Sequence, residues 1–301
     1  MNMDSANAAS AASPRNKSSL RQRVASALLL LPIVIALVWW NLWSVVAIVL
    51  AAALLGLFEL YSAFVQAGHQ PRIAFGLATA ALLIIVMALQ AAQIVDLVEP
   101  LITFAIIGSL ILELTRHTER GGFVSWALTL AGAFYIAWLL GHFVLLREVV
   151  SPIGPNLFSM LGLPLESGAA WIYFVLAITW IQDTAAYFVG KYLGRSKMAP
   201  VLSPKKTWEG AAGGLIGSIL AAIAFAMILG LPLTILQAGV LGLVGGVAGP
   251  LGDLAESMIK RQVGLKDAGN LIPGHGGLLD RADSLLFTGP VLYYLIKLLL
   301  I

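Results

Sequence analysis

Along the chain, long apolar runs alternate with short polar or Gly/Pro punctuation. Nine such runs fall at about 24–41, 43–65, 73–94, 98–114, 123–146, 169–189, 211–230, 233–251 and 284–301. Their lengths sit near the roughly 20 residues that a helix needs to cross a bilayer core. A barrel strand needs only about 10 residues and alternates apolar with polar positions, which these runs do not. The pattern predicts an all-α polytopic integral membrane protein with about nine transmembrane helices. Composition supports this: 59% of the 301 residues are hydrophobic and only 11% charged, too few to coat a soluble globule. With no Cys in the chain, disulfides, thiolate metal sites and Cys nucleophiles are excluded.

The distribution of the charges sets an orientation. With the N-terminus in the cytoplasm, the inside segments collect Arg15, Lys17, Arg21 and Arg23, then Arg72, Arg116 and Arg120. Lys191, Arg195, Lys197, Lys205 and Lys206 follow between the sixth and seventh runs, and Lys260, Arg261, Lys266 and Arg281 between the eighth and ninth. Only Arg147 and Lys297 of the 18 Lys and Arg residues fall outside, which satisfies the positive-inside rule. Residues 1–23 read as a disordered basic tail, followed by a first run with no small-residue cleavage site and expected to be retained. The organisation expected is this tail, an N-terminal set of transmembrane helices over 24–168, and a C-terminal region over 169–301. The last carries two cytoplasmic-side loops, 190–210 and 252–283. Segment 147–168, with Pro152, Pro155 and Pro164, is the one long outside loop and reads as an interfacial element. Gly213/Gly217, Gly242/Gly246 and Gly245/Gly249 are spaced four apart, a pattern for close helix packing.

Polar chemistry gathers in the two inside loops. On a helix, Asp253, Glu256, Ser257 and Lys260 share one face at i, i+3, i+4 and i+7, and Asp280, Asp283 and Ser284 share another at i, i+3 and i+4. Carboxylates near hydrocarbon need cationic partners or metal, because each costs about 2.5–3.5 kcal/mol at helix-centre depth. A structural ion-pair lattice, with Glu256 bridging Lys260, competes with a functional reading. Gly274-His275-Gly276-Gly277 after Pro273 is a turn whose backbone N–H groups suit an anion. Ser203-Pro204-Lys205-Lys206-Thr207 offers two ammonium groups and two hydroxyls, suited to phosphate oxygens or to anionic lipid heads. Gly190-Lys191 is followed by Tyr192, so there is no Walker A loop, and neither G-x-G-x-x-G nor H-E-x-x-H occurs.

The run Ser257-x-Ile259-Lys260-Arg261-x4-Lys266-Asp267-x-Gly269-x2-Ile272-Pro273-x-His275-Gly276-Gly277-Leu278-x-Asp280-Arg281-x-Asp283 resembles the signature of phosphatidate cytidylyltransferases, the CDP-diacylglycerol synthases. Asp183-Thr184-x-Ala186-Tyr187 and Ser203-Pro204-Lys205-Lys206-Thr207-x-Glu209-Gly210 also resemble that family, and Ala282 departs from its usual larger residue or Thr. The resemblance implies Mg2+-dependent transfer of CMP from CTP to phosphatidate, giving CDP-diacylglycerol and pyrophosphate, at the cytoplasmic face of the cytoplasmic (inner) membrane. The expected partners are CTP, phosphatidate and membrane lipids, with no nucleic acid, and a homodimer is one compatible assembly. Asp253 and Asp280 are the first choice as metal ligands, with Asp183, Glu256, Asp267 and Asp283 as supporting carboxylates. Lys260, His275 and Arg281 complete the expected catalytic set. Ser203, Lys205, Lys206, Thr207, Ser257, Lys266, Gly276 and Gly277 are expected to bind substrate. The alternative from another class is an ion-coupled membrane transporter, which predicts acids at the bilayer midplane and matching repeats in both halves.

Overall fold

The computed structural model describes residues 31–116, 121–265 and 277–300. The tail at 1–23, Arg120, Lys266, Asp267 and the turn at 273–276 with His275 and Gly276 lie outside the described residues. Each apolar run forms a helix or part of one: α1 (Leu31–Trp40), α2 (Leu42–Gln66), α3 (Ile73–Ala91), α4 (Val98–Leu114), α5 (Gly122–Ala133), α6 (Leu139–Arg147), the short α7 (Leu157–Met160), α8 (Ser167–Leu193), α9 (Trp208–Ile228), α10 (Ile235–Gln262) and α11 (Leu279–Leu300). One π-helical turn, Phe134–Trp138, joins α5 to α6 into a single crossing. Seven helices among the described residues are long and apolar enough to cross a membrane. α4, at 17 residues, and α1, described over Leu31–Trp40, are shorter.

Two boundaries differ from those read in the sequence. The eighth run was ended at 251 where charges begin, yet α10 continues to Gln262, with Pro250 inside it. The ninth run was begun at 284, yet α11 starts at Leu279. Asp253–Lys260 and Asp280–Asp283 therefore sit on helix ends and not in a loop. Charged side chains are tolerated there because they pair, Asp253 with Lys206 and Lys260 with both Glu256 and, across the two helices, Asp280. The 190–210 segment departs from an all-α fold: β1 (Lys197–Ala199) and β2 (Ser203–Thr207) form a small antiparallel hairpin, pairing Lys197 with Thr207 and Ala199 with Ser203.

α8 is the central helix. Every residue from Gly168 to Thr179 is buried, as expected of a helix apolar all round and packed on every side. Trp171 and Phe174 fill the middle of the core together with Leu57 and Tyr61 of α2 and Leu83, Ile84 and Met87 of α3. The glycine pattern acts through packing, as expected. A Cβ at Gly213 would run into Val189, one at Gly217 into Ala185, and one at Gly242 into the backbone of Ser218 and Ile219. These residues let α9 lie close to α8 and α10.

Opposite ends of the bundle hold different segments. At one, Gly154 N–H donates to Gly230 O at 2.8 Å and buried Arg147 pairs with Glu166 at 2.6 Å. There α7 exposes Leu157, Met160 and Leu161, which suits an interfacial element. At the other, the hairpin meets the ends of α8, α10 and α11.

Candidate active site

Local sequence sets up each part of this end. Thr207 ends β2 and caps α9, its hydroxyl oxygen accepting from Gly210 N–H at 3.1 Å. Glu209 then accepts from the backbone N–H groups of Arg195 and Ser196, each at 3.1 Å, which ties the hairpin's base to the start of α9. The hairpin so held carries Lys206 over α10. Its ammonium lies 2.8 Å from Asp253 Oδ2 and donates to Pro250 O at 3.2 Å. Ser257 Oγ lies 3.4 Å from Asp253 Oδ1, one helical turn on.

A second pairing joins α10 to α11. Lys260 Nζ is 2.5 Å from both Glu256 Oε2 and Asp280 Oδ1. Asp280 Oδ2 accepts from Gly277 N–H at 3.0 Å, so this carboxylate also closes the chain as it enters α11. Asp283 Oδ1 accepts from Ser284 N–H at 2.6 Å. Asp183 of α8 neighbours Asp253, Lys206 and Ser284, and Asp283 neighbours Asp253, Asp183 and Lys260. Gly252 permits this closeness, since a Cβ there would strike the carbonyl oxygen of Asp283.

These groups surround a cavity of about 660 Å3, a volume that accommodates a nucleotide-sized ligand. Of the residues expected from sequence, Asp183, Ser203, Lys205, Lys206, Thr207, Asp253, Asp280 and Asp283 line it. Lys205 is exposed at its mouth. Ser257 and Glu256 are buried behind the wall, the latter 1% exposed, and Lys260 bridges from there to Asp280. Gly277 contributes its backbone N–H, and Arg281 is exposed one residue beyond Asp280.

Three polar groups were missed in the sequence. Glu59 of α2 is 3% exposed and accepts from Leu279 N–H at 3.0 Å, capping α11 from the N-terminal half. An acid inside an apolar run was the available signal. Gln182 lines the cavity with a buried Oε1 that has no hydrogen-bond partner. Tyr135, in the π turn, has a buried hydroxyl with no hydrogen-bond partner.

The fold and site define a helical integral membrane protein with a cavity lined by lysines and aspartates at one end of the bundle. The chain belongs to the cytidylyltransferase family, whose model matches residues 21–299. It is 33% identical to the phosphatidate cytidylyltransferase of Synechocystis sp. over 93% of this chain and 97% of that protein. It is 44% identical to the phosphatidate cytidylyltransferase of Bacillus subtilis over 44% of this chain and 49% of that one. The uncharacterized protein YnbB of Escherichia coli is 40% identical over 60% of this chain and 54% of its own length. The matches thus span about half of the latter two relatives and nearly all of the first.

Proposed function

We propose that this protein is a phosphatidate cytidylyltransferase, joining CMP from CTP to phosphatidate. The observation that carries the proposal is one cavity at a bundle end lined by Lys205, the Lys206–Asp253 pair and Asp280, the last held from behind the wall by Lys260. In the reaction a phosphate oxygen of phosphatidate attacks the α-phosphorus of CTP. A new P–O–P bond forms, the bond to the β-phosphate oxygen breaks, and pyrophosphate leaves. A phosphomonoester has a second pKa near 6, so the nucleophile is largely ionised at neutral pH and the site requires no strong base.

The difficulty lies in bringing two polyanions together, and the cavity's cations address it. Lys206 and Lys260 are held by carboxylates at 2.8 and 2.5 Å and exchange those partners for phosphate oxygens when substrates bind. Lys205 at the mouth, with Ser203 beside it, adds charge and a hydroxyl donor. The aspartates keep the lysines poised and prevent an unpaired cation at the membrane boundary.

The donor set suits Mg2+, which commonly binds through one or two carboxylates together with substrate phosphates. Among the described residues no group of three or more His, Asp or Glu side chains is arranged to hold a metal unaided. Asp253, with Asp183 and Asp283 beside it, would hold the ion in company with the phosphates. Mg2+ bound there would neutralise phosphate charge and act as a Lewis acid. The site is proposed to face the cytoplasm, with the N-terminus on the same side, from the asymmetry of the Lys and Arg residues. The transporter alternative has no support in the family assignment.

The test is an assay of purified protein with labelled CTP and phosphatidate, with and without Mg2+. Labelled CDP-diacylglycerol and released pyrophosphate are expected. Absence of label in the lipid at every divalent ion tried would defeat the proposal.

A further inference from the structure

The bundle end away from the active site has a cavity of its own. Arg147 at that end is committed to Glu166 at 2.6 Å. Glu148, at the C-cap of α6, and Lys297, in the last turn of α11, are not committed to anything comparable. Both line one open cavity of about 400 Å3, a size within the range of small-molecule sites. By helical rise Lys297 lies about 25 Å along α11 from Asp280, so this cavity is separate from the candidate active site.

Two opposite charges that share a cavity gain by meeting, yet these stay apart. Among the described residues neither Glu148 nor Lys297 takes part in an ion pair. Lys297 lies instead over the Tyr293 ring, 5.7 Å from its centroid. The acceptor side of the cavity is reinforced by the backbone. α3, α6 and α11 end around it at Ala91, Arg147 and Leu300, and helix C-termini present carbonyl oxygens that favour a cation. Gln90, the last residue but one of α3, also lines the cavity. Its side-chain N–H donates to Asp96 at 2.8 Å, which leaves the amide oxygen to accept. Val149 and Leu300 add an apolar part.

A cavity with one lysine and a separate, acceptor-rich side matches a ligand that carries an anion and a cation together. At the boundary of a bilayer, that description fits a phospholipid whose phosphate is followed by an ammonium. A primary ammonium suits the site better than a quaternary one, because Glu148 and Gln90 accept hydrogen bonds that a quaternary group cannot donate.

We propose that this cavity binds the headgroup of a phospholipid bearing a primary ammonium, of the phosphatidylethanolamine kind. Lys297 takes the phosphate, Glu148 takes the ammonium, and Val149 and Leu300 meet the start of the acyl chains. The site goes beyond the transfer reaction proposed above and does not depend on it.

The experiment follows the thermal midpoint of the full-length protein in neutral detergent micelles doped with phosphatidylethanolamine, phosphatidylcholine or phosphatidylglycerol. Phosphatidylethanolamine at about ten times its half-saturating level should raise the midpoint by roughly 3–5 °C. Phosphatidylcholine and phosphatidylglycerol should each raise it by less than half as much. Lys297→Gln and Glu148→Gln should each abolish the preference for phosphatidylethanolamine, and Glu148→Gln should leave the small phosphatidylglycerol shift in place. Equal shifts from all three lipids overturn the proposal, as does a preference that survives in either variant. A larger shift from phosphatidylglycerol overturns it in favour of a plain anion site. Water-soluble glycerophosphoethanolamine should have little effect, and a shift from it as large as that from the lipid overturns the lipid assignment. If either variant fails to fold, the ranking of the three headgroups on the unmodified protein decides by itself.

Discussion

Asp253 and Asp280 look alike in sequence, each opening an i, i+3, i+4 pattern, but their surroundings assign them different consequences. The Asp253 side chain is 32% exposed in its pair with Lys206, so the pair contributes at most about 1 kcal/mol to stability. Asp253→Asn should leave the thermal midpoint nearly unchanged while lowering CMP transfer on the order of 100-fold, a loss that more CTP does not restore. Asp280 is more enclosed, with one oxygen on Lys260 and the other on Gly277 N–H. Removing one member of a buried pair costs about 3–5 kcal/mol, reduced here because Lys260 keeps Glu256. Asp280→Asn should therefore lower midpoint and activity together, and an unchanged midpoint would show that its carboxylate is not structural. Glu59→Ala should destabilise by about 1–3 kcal/mol through the unpaired Leu279 N–H, with Glu59→Gln milder because its amide oxygen still accepts. Unfolding followed by heat or denaturant checks both. Glu59 was visible as an acid in an apolar run, but its partner lies 220 residues away, so its purpose was not readable.

At the scale of elements, the hairpin and the α10–α11 contact decide the site. The Ser203–Thr207 segment was read as a basic loop open to either phosphate or lipid, and as β2 it fixes Lys206 onto α10 and leaves Lys205 at the cavity mouth. Lys205→Gln and Lys206→Gln should each lower kcat/KM in neutral detergent micelles carrying no other anionic lipid, Lys206→Gln the more. A defect that appears only in anionic bilayers and fades with salt would return the hairpin to surface attraction. Gly252→Ala should push α11 away from α10, at about 1–3 kcal/mol of overpacking strain, and depress activity without removing any charged group. Wild-type turnover and midpoint in that variant would show that the contact tolerates a methyl group. The four-residue glycine spacing announced close packing in advance. Which helix each glycine admits could not be read, because spacing along one helix carries no identity for its neighbour.

For the molecule as a whole, the hairpin and the α10–α11 ends lie together at one end of the bundle, and the 147–168 segment packs near Gly230 at the other. The orientation proposed from the charge asymmetry would put the first end in the cytoplasm. The chain has no Cys, so single replacements test this directly. In intact cells a membrane-impermeant thiol reagent should label Leu161→Cys but reach Lys197→Cys only after permeabilisation. The reverse pattern would invert the topology.

The hydrophobic periodicity by itself determined that the chain is a helical membrane bundle, because a bilayer imposes the length and polarity of every crossing. Charged spacing likewise determined that Asp253, Glu256, Ser257 and Lys260 share a face, since helical geometry is local. The helix ends were not determined, because a charge reads as the end of an apolar run unless its partner is known. α10 continues through Asp253–Lys260 on account of cations from β2 and its own last turns and a carboxylate on α11. Only the tertiary structure could place Glu59 at the start of α11 and Gln182 in the cavity wall. Glu59 is one acid in an apolar helix, and the energy that keeps it there depends on what packs against it from a distant part of the chain.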